Sequence, residues 1–266
     1  MSPVMFNHYF KQKFSEYIYK SFALKEQELA GFLQQSRSTS IKGFNVTMPY
    51  KEKVIPYLDE LDPSAEILDT VNVIQIKRRQ LKGYNTDIQG FLRTIKEGLV
   101  YRPDQAVVLG AGGAAKCVIY SLFKLGVNGI DFFSRSPVRI GIIKKALVNS
   151  GRLTGHEWNS ELIETCISHS DLVVNTTPVG MFPQTKDSPA EIKFKAKSDA
   201  LAVDLIYNPL ETKFLKNAGK KGYRTLNGLD MLIYQGVEAL KIWLGVPLDD
   251  DLFIQESRQV IQKELS

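Results

Sequence analysis

Val107-Val108-Leu109-Gly110-Ala111-Gly112-Gly113-Ala114-Ala115 decides the fold. An apolar strand runs into a glycine-rich turn, and a helical pattern from about 114 to 125, closed by Gly126, follows it. The stretch fits G-x-G-x-x-A with Gly110, Gly112 and Ala115. In a strand–turn–helix setting each position has a reason. Gly110 permits the tight turn, Gly112 lets backbone approach a pyrophosphate, and Ala115 lets helix pack close to strand. The helix start supplies free N–H groups and partial positive charge for the anion. The stretch reads as a dinucleotide-binding turn rather than a plain glycine-rich connection.

The same rhythm continues on either side. Short apolar strands are predicted at 106–110, 130–133, 171–175, 200–204 and 223–226, with helical stretches between most of them. That alternation specifies a parallel sheet with crossover helices. The end of the second strand selects the dinucleotide. Asp131 lies inside this strand, too early to hold a ribose diol. The strand ends in Ser134-Arg135-Ser136-Pro137-Val138-Arg139. A guanidinium pairs well with a phosphate and poorly with a neutral diol. Arg135, with Ser134, Ser136 and Arg139 around it, therefore favours NADP over NAD.

Residues 1–86 read differently. Ser2 before Pro3 is the pattern of a helix N-cap with proline at the first helical position. Strands are predicted at 17–24 and 41–46, helices at 25–35 and 51–60, and a hairpin from 71–77 and 80–85. Thr86-Asp87 caps a helix running to about Gly98. Residues 228–266 are helical, with Gly245-Val246-Pro247 as a break and Asp249-Asp250-Asp251 capping the last helix. The basic cluster Lys77-Arg78-Arg79 sits at the hairpin turn as solvated surface.

Composition narrows the function. The 266 residues hold 34 Lys and Arg against 29 Asp and Glu, a formal net charge of +5, with 44% hydrophobic and 24% charged residues. These values exclude disorder, collagen and coiled coil. The basic residues are dispersed among acidic ones, so no nucleic-acid partner is expected. No apolar run approaches the ~18–20 residues that span a bilayer. Two cysteines, Cys117 and Cys166, and three scattered histidines show no disulfide framework and no metal-ligand spacing, so no metal is expected. The N-terminus has no secretory signal pattern, which makes a cytoplasmic protein the expectation.

Two further segments say little singly. Residues 42–51 read as a strand, a proline turn and a surface lysine, and Asp87 reads as a helix cap. Together with the glycine-rich turn they resemble the shikimate dehydrogenase family. Its N-V-T-x-P-x-K pattern appears as Asn45, Val46, Thr47, Pro49 and Lys51, and its N-T-D-x-x-G pattern as Asn85, Thr86, Asp87 and Gly90. Its G-A-G-G-A-A loop is Gly110 to Ala115. Asn175-Thr176-Thr177-Pro178-Val179-Gly180-Met181 matches N-x-T-P-x-G-M. Asp204, Tyr207, Pro209 and Thr212 match D-x-x-Y-x-P-x-x-T, and Gly228, Met231, Leu232 and Gln235 match G-x-x-M-L-x-x-Q. The motifs keep their order over essentially the whole chain.

The resemblance implies an α/β fold of two domains: a discontinuous substrate domain (1–86 plus 229–266), a connecting helix (87–103) and a Rossmann-like NADP domain (104–228), with the reaction in the cleft. It implies NADP-dependent interconversion of shikimate and 3-dehydroshikimate by a cytoplasmic monomer or homodimer. Lys51 and Asp87 are the implied catalytic pair, and either can carry the proton. Ser2, Thr47, Asn72, Asp87, Tyr207 and Gln235 are implied substrate binders. Gly110, Gly112, Gly113 and Ala114 are implied at the cofactor diphosphate, and Ser134, Arg135, Ser136 and Arg139 at the 2′-phosphate. Thr176 and Gly228 are implied near the ribose or nicotinamide. Rival readings are a broader quinate/shikimate dehydrogenase, a methylene-tetrahydrofolate dehydrogenase-like enzyme and a non-catalytic NADP-binding regulator.

Two departures carry expectations. The family opens with a strand and G-x-P-x-x-H-S-x-S-P-x-x-H-N, of which Ser2, Pro3 and Asn7 match the second half, with Phe6 where His is common. The family's first strand and the first of its two serines have no counterpart here, so unpaired sheet-edge groups, an incomplete carboxylate pocket, weak activity and poor stability are expected of this form. Leu68-Asp69-Thr70-Val71-Asn72-Val73 replaces the family's I-G-A-V-N-T, which keeps Asn72 beside a reshaped loop.

Overall fold

The structure, a computed structural model, describes residues 1–147, 151–246 and 248–265. The chain forms two compact units, Met1–Gly90 with Ile233–Ser266, and Phe91–Leu232.

The first unit opens on α1 (Ser2–Lys13), whose N-cap is Met1. Ser2 thus stands inside the helix rather than capping it. Proline is tolerated throughout the first turn, where amides lack intrahelical partners, so Pro3 marks the start without fixing its register. The segment 17–24 does not form the expected strand: it carries no regular element and enters no ladder among the described residues. Strand-forming side chains can favour extension, but a ladder needs a partner backbone. The Asn7 side chain holds Tyr19 instead, accepting from its N–H at 2.7 Å and donating to its carbonyl at 2.9 Å. Phe6 stacks on the Tyr19 ring at 4.7 Å.

The unit continues through α2 (Leu29–Ser36), β1 (Gly43–Asn45), β2 (Glu60–Leu61), the one-turn α3 (Pro63–Glu66), β3 (Val73–Lys77) and β4 (Gln80–Tyr84). The sheet order is β1-β3-β4-β2, with β3 antiparallel to both neighbours and β2 parallel to β4. Arg78 and Arg79 both have positive φ, 53° and 66°, the backbone that a tight two-residue hairpin demands. Leu29, Leu33, Val54, Ala65, Val71, Ile74 and Leu81 form a buried core. The helix expected over 51–60 is absent, replaced by turns and a 3-10 segment at Ile55–Tyr57. Pro56 offers no N–H and its ring opposes the carbonyl four residues back.

After α4 (Asp87–Gly98) comes the second unit: β5 (Gln105–Leu109), α5 (Gly113–Lys124), β6 (Gly129–Ser134), α6 (Pro137–Ala146), β7 (Arg152–Glu157), α7 (Ser160–His169), β8 (Leu172–Asn175), β9 (Leu201–Asp204), α8 (Lys213–Lys220) and β10 (Arg224–Leu226). All six strands are parallel, in the order β10-β9-β8-β5-β6-β7. This is the expected doubly wound sheet. Strands β8 and β9 are buried at every position, as a sheet covered on both faces requires. Sequence reading misses β7, because an edge strand reading Arg-Leu-Thr-Gly-His-Glu is polar and partly solvated.

The chain ends in α9 (Leu229–Leu244) and α10 (Asp250–Leu265). Asp249 caps α10 as expected, its Oδ1 accepting from Leu252 N–H at 3.0 Å. Pro247 of the predicted break lies outside the described residues. In the first unit α1 packs on α10, with Phe6 between Trp243 and Phe253 at ring separations of 5.5 and 6.0 Å.

Candidate active site

In the first unit the β4–α4 junction organises a polar cluster. Asn85 makes an Asx turn, its Oδ1 accepting from the Asp87 N–H at 3.1 Å, while its amide donates to Thr70. This fixes Asp87 at the head of α4. Asp87 Oδ1 accepts from Asn72 Nδ2 at 2.8 Å, and Oδ2 accepts from Lys51 Nζ at 2.5 Å. Asn72 also donates to Gln235 Oε1 at 3.2 Å, and its own oxygen accepts from the Thr86 N–H at 2.8 Å. Lys51, Asn72, Asp87 and Gln235 are thus joined through four stretches of sequence. The Asp87 side chain is 7% exposed and that of Lys51 23%, so the lysine is the accessible member of the pair.

Ser2 and Thr47 are not bonded to this cluster. They line a cavity of about 890 Å³ with Tyr19 and Asn45, where Tyr19 donates to Asn45 Oδ1 at 2.9 Å. Burial pushes the Tyr19 hydroxyl up to about 12, against a lowering hydrogen bond from Ser2. Residue-type reasoning missed Thr86 and Tyr19, because the partners that give each a role are remote in sequence.

In the second unit, β5 and β8 are neighbours from which the chain winds outward in opposite directions. Ligands of such sheets bind at that switch point, beyond the carboxyl ends of the strands. The Gly110 turn leaves β5 there and Thr176 leaves β8. Thr176 donates its N–H and its hydroxyl to the Leu109 carbonyl at 2.9 and 2.7 Å. Gly110 has φ +118°, and a Cβ on it would overlap the Thr176 hydroxyl. A Cβ on Gly112 would meet nothing within 4 Å, so this backbone faces open space at the start of α5, followed by Gly113 and Ala114. Ser134 ends β6 buried, its Oγ accepting from the Ser136 N–H at 3.0 Å, and Ser136 caps α6. Arg135 and Arg139 are exposed and have no ion-pair partner among the described residues. An open backbone cradle beside two free guanidinium groups fits a dinucleotide carrying an extra phosphate.

The remaining candidates also lie in the second unit. A Cβ on Gly228 would overlap the Leu205 carbonyl oxygen. Tyr207 is half-buried, and burial raises its hydroxyl pKa. The other polar residues of its motif are structural. Asn175 and Thr212 donate to Asp204 at 3.0 and 2.7 Å, the Ile206 N–H joins them at 3.1 Å, and Thr212 caps α8.

Burial nonetheless pushes the Asp204 carboxyl up to about 6. The folded chain then holds this proton up to about pH 6, whereas the unfolded chain releases it near pH ~4. The folded state binds more protons in that window, so stability falls as pH rises from ~4 to ~6, by on the order of 2–3 kcal/mol from this group. Asp204→Asn is expected to remove that fall, with Thr212 accepting where it now donates. Urea unfolding of both proteins across the window checks this, and identical slopes would contradict it.

Fold and site together define a class: a two-unit α/β dehydrogenase that uses a nicotinamide dinucleotide. Residues 1–74 match the shikimate dehydrogenase substrate binding domain, and residues 228–256 the shikimate 5′-dehydrogenase C-terminal domain. The NADP⁺-dependent shikimate dehydrogenase of Moorella thermoacetica is 40% identical over 253 residues, covering 92% of this chain and 84% of that protein. The crystal structure of the Thermus thermophilus shikimate 5-dehydrogenase with NADP(H) and shikimate superposes with a TM-score of 0.80 at 30% identity, covering 97% of this chain and 94% of the other. A quinate dehydrogenase from Corynebacterium glutamicum, in complex with NAD, gives 0.87 at 30% identity, covering 98% and 94%. The chain belongs to the shikimate dehydrogenase family. Among the described residues no helix is long and apolar enough to cross a membrane.

Proposed function

We propose that the protein catalyses reversible, NADP-dependent interconversion of shikimate and 3-dehydroshikimate, a step of aromatic amino-acid (chorismate) biosynthesis. The observation that carries this reading is the Lys51–Asp87 pair, held at 2.5 Å within the Asn72–Gln235 cluster. Bound NADP supplies the hydride acceptor in one direction and the donor in the other. Lys51 takes the hydroxyl proton during oxidation and returns it to the developing alkoxide during reduction. Asp87 has both oxygens engaged, one by Asn72 and one by Lys51, so it orients the amine while Lys51 carries the proton. Asn72 and Gln235, with Ser2, Thr47 and Asp87, hold the substrate's hydroxyls and carboxylate. Gly110, Gly112, Gly113 and Ala114 receive the diphosphate. Ser134, Arg135, Ser136 and Arg139 receive the 2′-phosphate, and Thr176 and Gly228 lie at the ribose or nicotinamide. The first unit is read as the substrate domain and the second as the NADP domain, in a cytoplasmic monomer or homodimer.

Absorbance of NADPH formed from shikimate and NADP tests the assignment, with NAD and quinate in parallel. Turnover with shikimate and NADP, far above that with quinate or NAD, is expected. The structural likeness to the quinate dehydrogenase makes preference for quinate the result that would displace this reading.

A further inference from the structure

A second cluster takes no part in the chemistry above. On β6, Asp131 and Phe133 point to the same face, because side chains alternate along a strand. Phe133 lies directly opposite His156 of β7, so Asp131 and His156 are diagonal neighbours on that face. The His156 ring stacks on the Phe133 ring at 5.0 Å with 22° between planes, which fixes its orientation. His156 Nε2 lies 2.7 Å from Asp131 Oδ1. Helix α7 packs over the same face through Ile163 and Ile167, and brings Cys166 with it. The three donor atoms all lie within 4.8 Å of one another, and among the described residues no other group of three or more His, Cys, Asp and Glu donors converges so closely.

We propose that Asp131, His156 and Cys166 form a binding site for a zinc-class divalent cation. One thiolate, one imidazole and one carboxylate make a donor set that suits zinc or cobalt and disfavours magnesium and calcium. Metal–ligand lengths of about 2.0–2.3 Å around a tetrahedron set ligand atoms roughly 3.3–3.7 Å apart. Rotating the Asp131 and Cys166 side chains closes the difference of about 1 Å. The bound cation takes the place of the proton shared by Nε2 and Oδ1, and the thiol ionises as it binds. The Asp131 and His156 side chains are 23% and 22% exposed, which leaves an entry path and a fourth position for water. The site joins β6, the edge strand β7 and α7, so the cation acts as a clip on the second unit. The spacing of 131, 156 and 166 matches no linear metal motif, and the parallel register with the overlying helix is what assembles the donors.

The test uses the whole chain without a polyhistidine tag, stripped with a chelator. Titration with Co²⁺ is expected to give one ion per chain and a thiolate-to-cobalt charge-transfer absorption that Zn²⁺ abolishes. Zn²⁺ is expected to raise Tm. In Cys166→Ser the absorption disappears. In both Cys166→Ser and His156→Gln the zinc affinity falls at least about tenfold and the zinc-dependent rise in Tm is lost. Absence of the charge-transfer band in the native chain, or unchanged zinc affinity in both variants, overturns the proposal. Should Cys166→Ser fail to fold, His156→Gln decides on affinity and Tm.

Discussion

Lys51→Ala is expected to lower kcat for shikimate oxidation by ~10²–10⁴-fold, the usual contribution of a positioned acid–base group. KM is expected to change little, because proton transfer develops in the transition state and not in the bound ground state. The fold should survive. The Lys51 side chain is 23% exposed, and Asp87 keeps its bonds to Asn72 and to the Asn85 turn. The lost ion pair is the confounding effect, since alanine removes the charge partner of a buried carboxylate along with the base. Lys51→Arg separates the two. Arginine retains a cation for Asp87 but does not release a proton in proteins. Its turnover is therefore expected to stay near that of Lys51→Ala. Steady-state kinetics in both directions check this. An arginine variant with native kcat would show that pairing, rather than proton transfer, is what Lys51 contributes.

Arg135→Ala is expected to raise KM for NADP by ~10–100-fold while leaving the parameters for NAD nearly unchanged. A hydrogen bond to a charged group contributes about 1.5–3 kcal/mol, and each 1.4 kcal/mol is tenfold in affinity. The guanidinium has no ion-pair partner among the described residues, so its removal strands no buried charge. Ser134 and the Ser136 cap retain their backbone bonds, so the β6–α6 turn should persist. Arg139→Ala, at the second guanidinium proposed for the 2′-phosphate, is expected to give a smaller change alone. Parallel titrations with NADP and NAD discriminate. An equal loss with both dinucleotides would mean that Arg135 supports the turn or the diphosphate instead of the 2′-phosphate.

Much of the second unit was legible because its signals are local. The run Val107 to Ala115 combines a buried strand, a glycine whose φ of +118° excludes side chains, and a helix start, all within nine residues. Four of its six strands, β5, β6, β8 and β9, are short apolar runs, and β7 was missed because an edge strand need not be apolar. The first unit was harder. The segment 17–24 looks like a strand, yet Asn7 rather than a neighbouring strand satisfies Tyr19. Residues 51–60 have a helix-like pattern, yet Pro56 ends it.

The candidate site divides in the same way. By itself the sequence determined the fold class and the glycine-rich turn, and it prompted the expectations of NADP at Arg135 and, through the family resemblance, of the Lys51–Asp87 pair. The fold class and the turn rest on steric rules, periodicity and residue spacing, which act between near neighbours, whereas the Lys51–Asp87 assignment rests on the family resemblance. Only the tertiary structure decided that Gln235 reaches Asn72 across 163 residues, that Asn85, Asn175 and Asp204 serve turns and caps, and that Cys166 of α7 lies over the sheet face carrying Asp131 and His156. Such meetings depend on strand order, register and helix placement, and no local spacing encodes them.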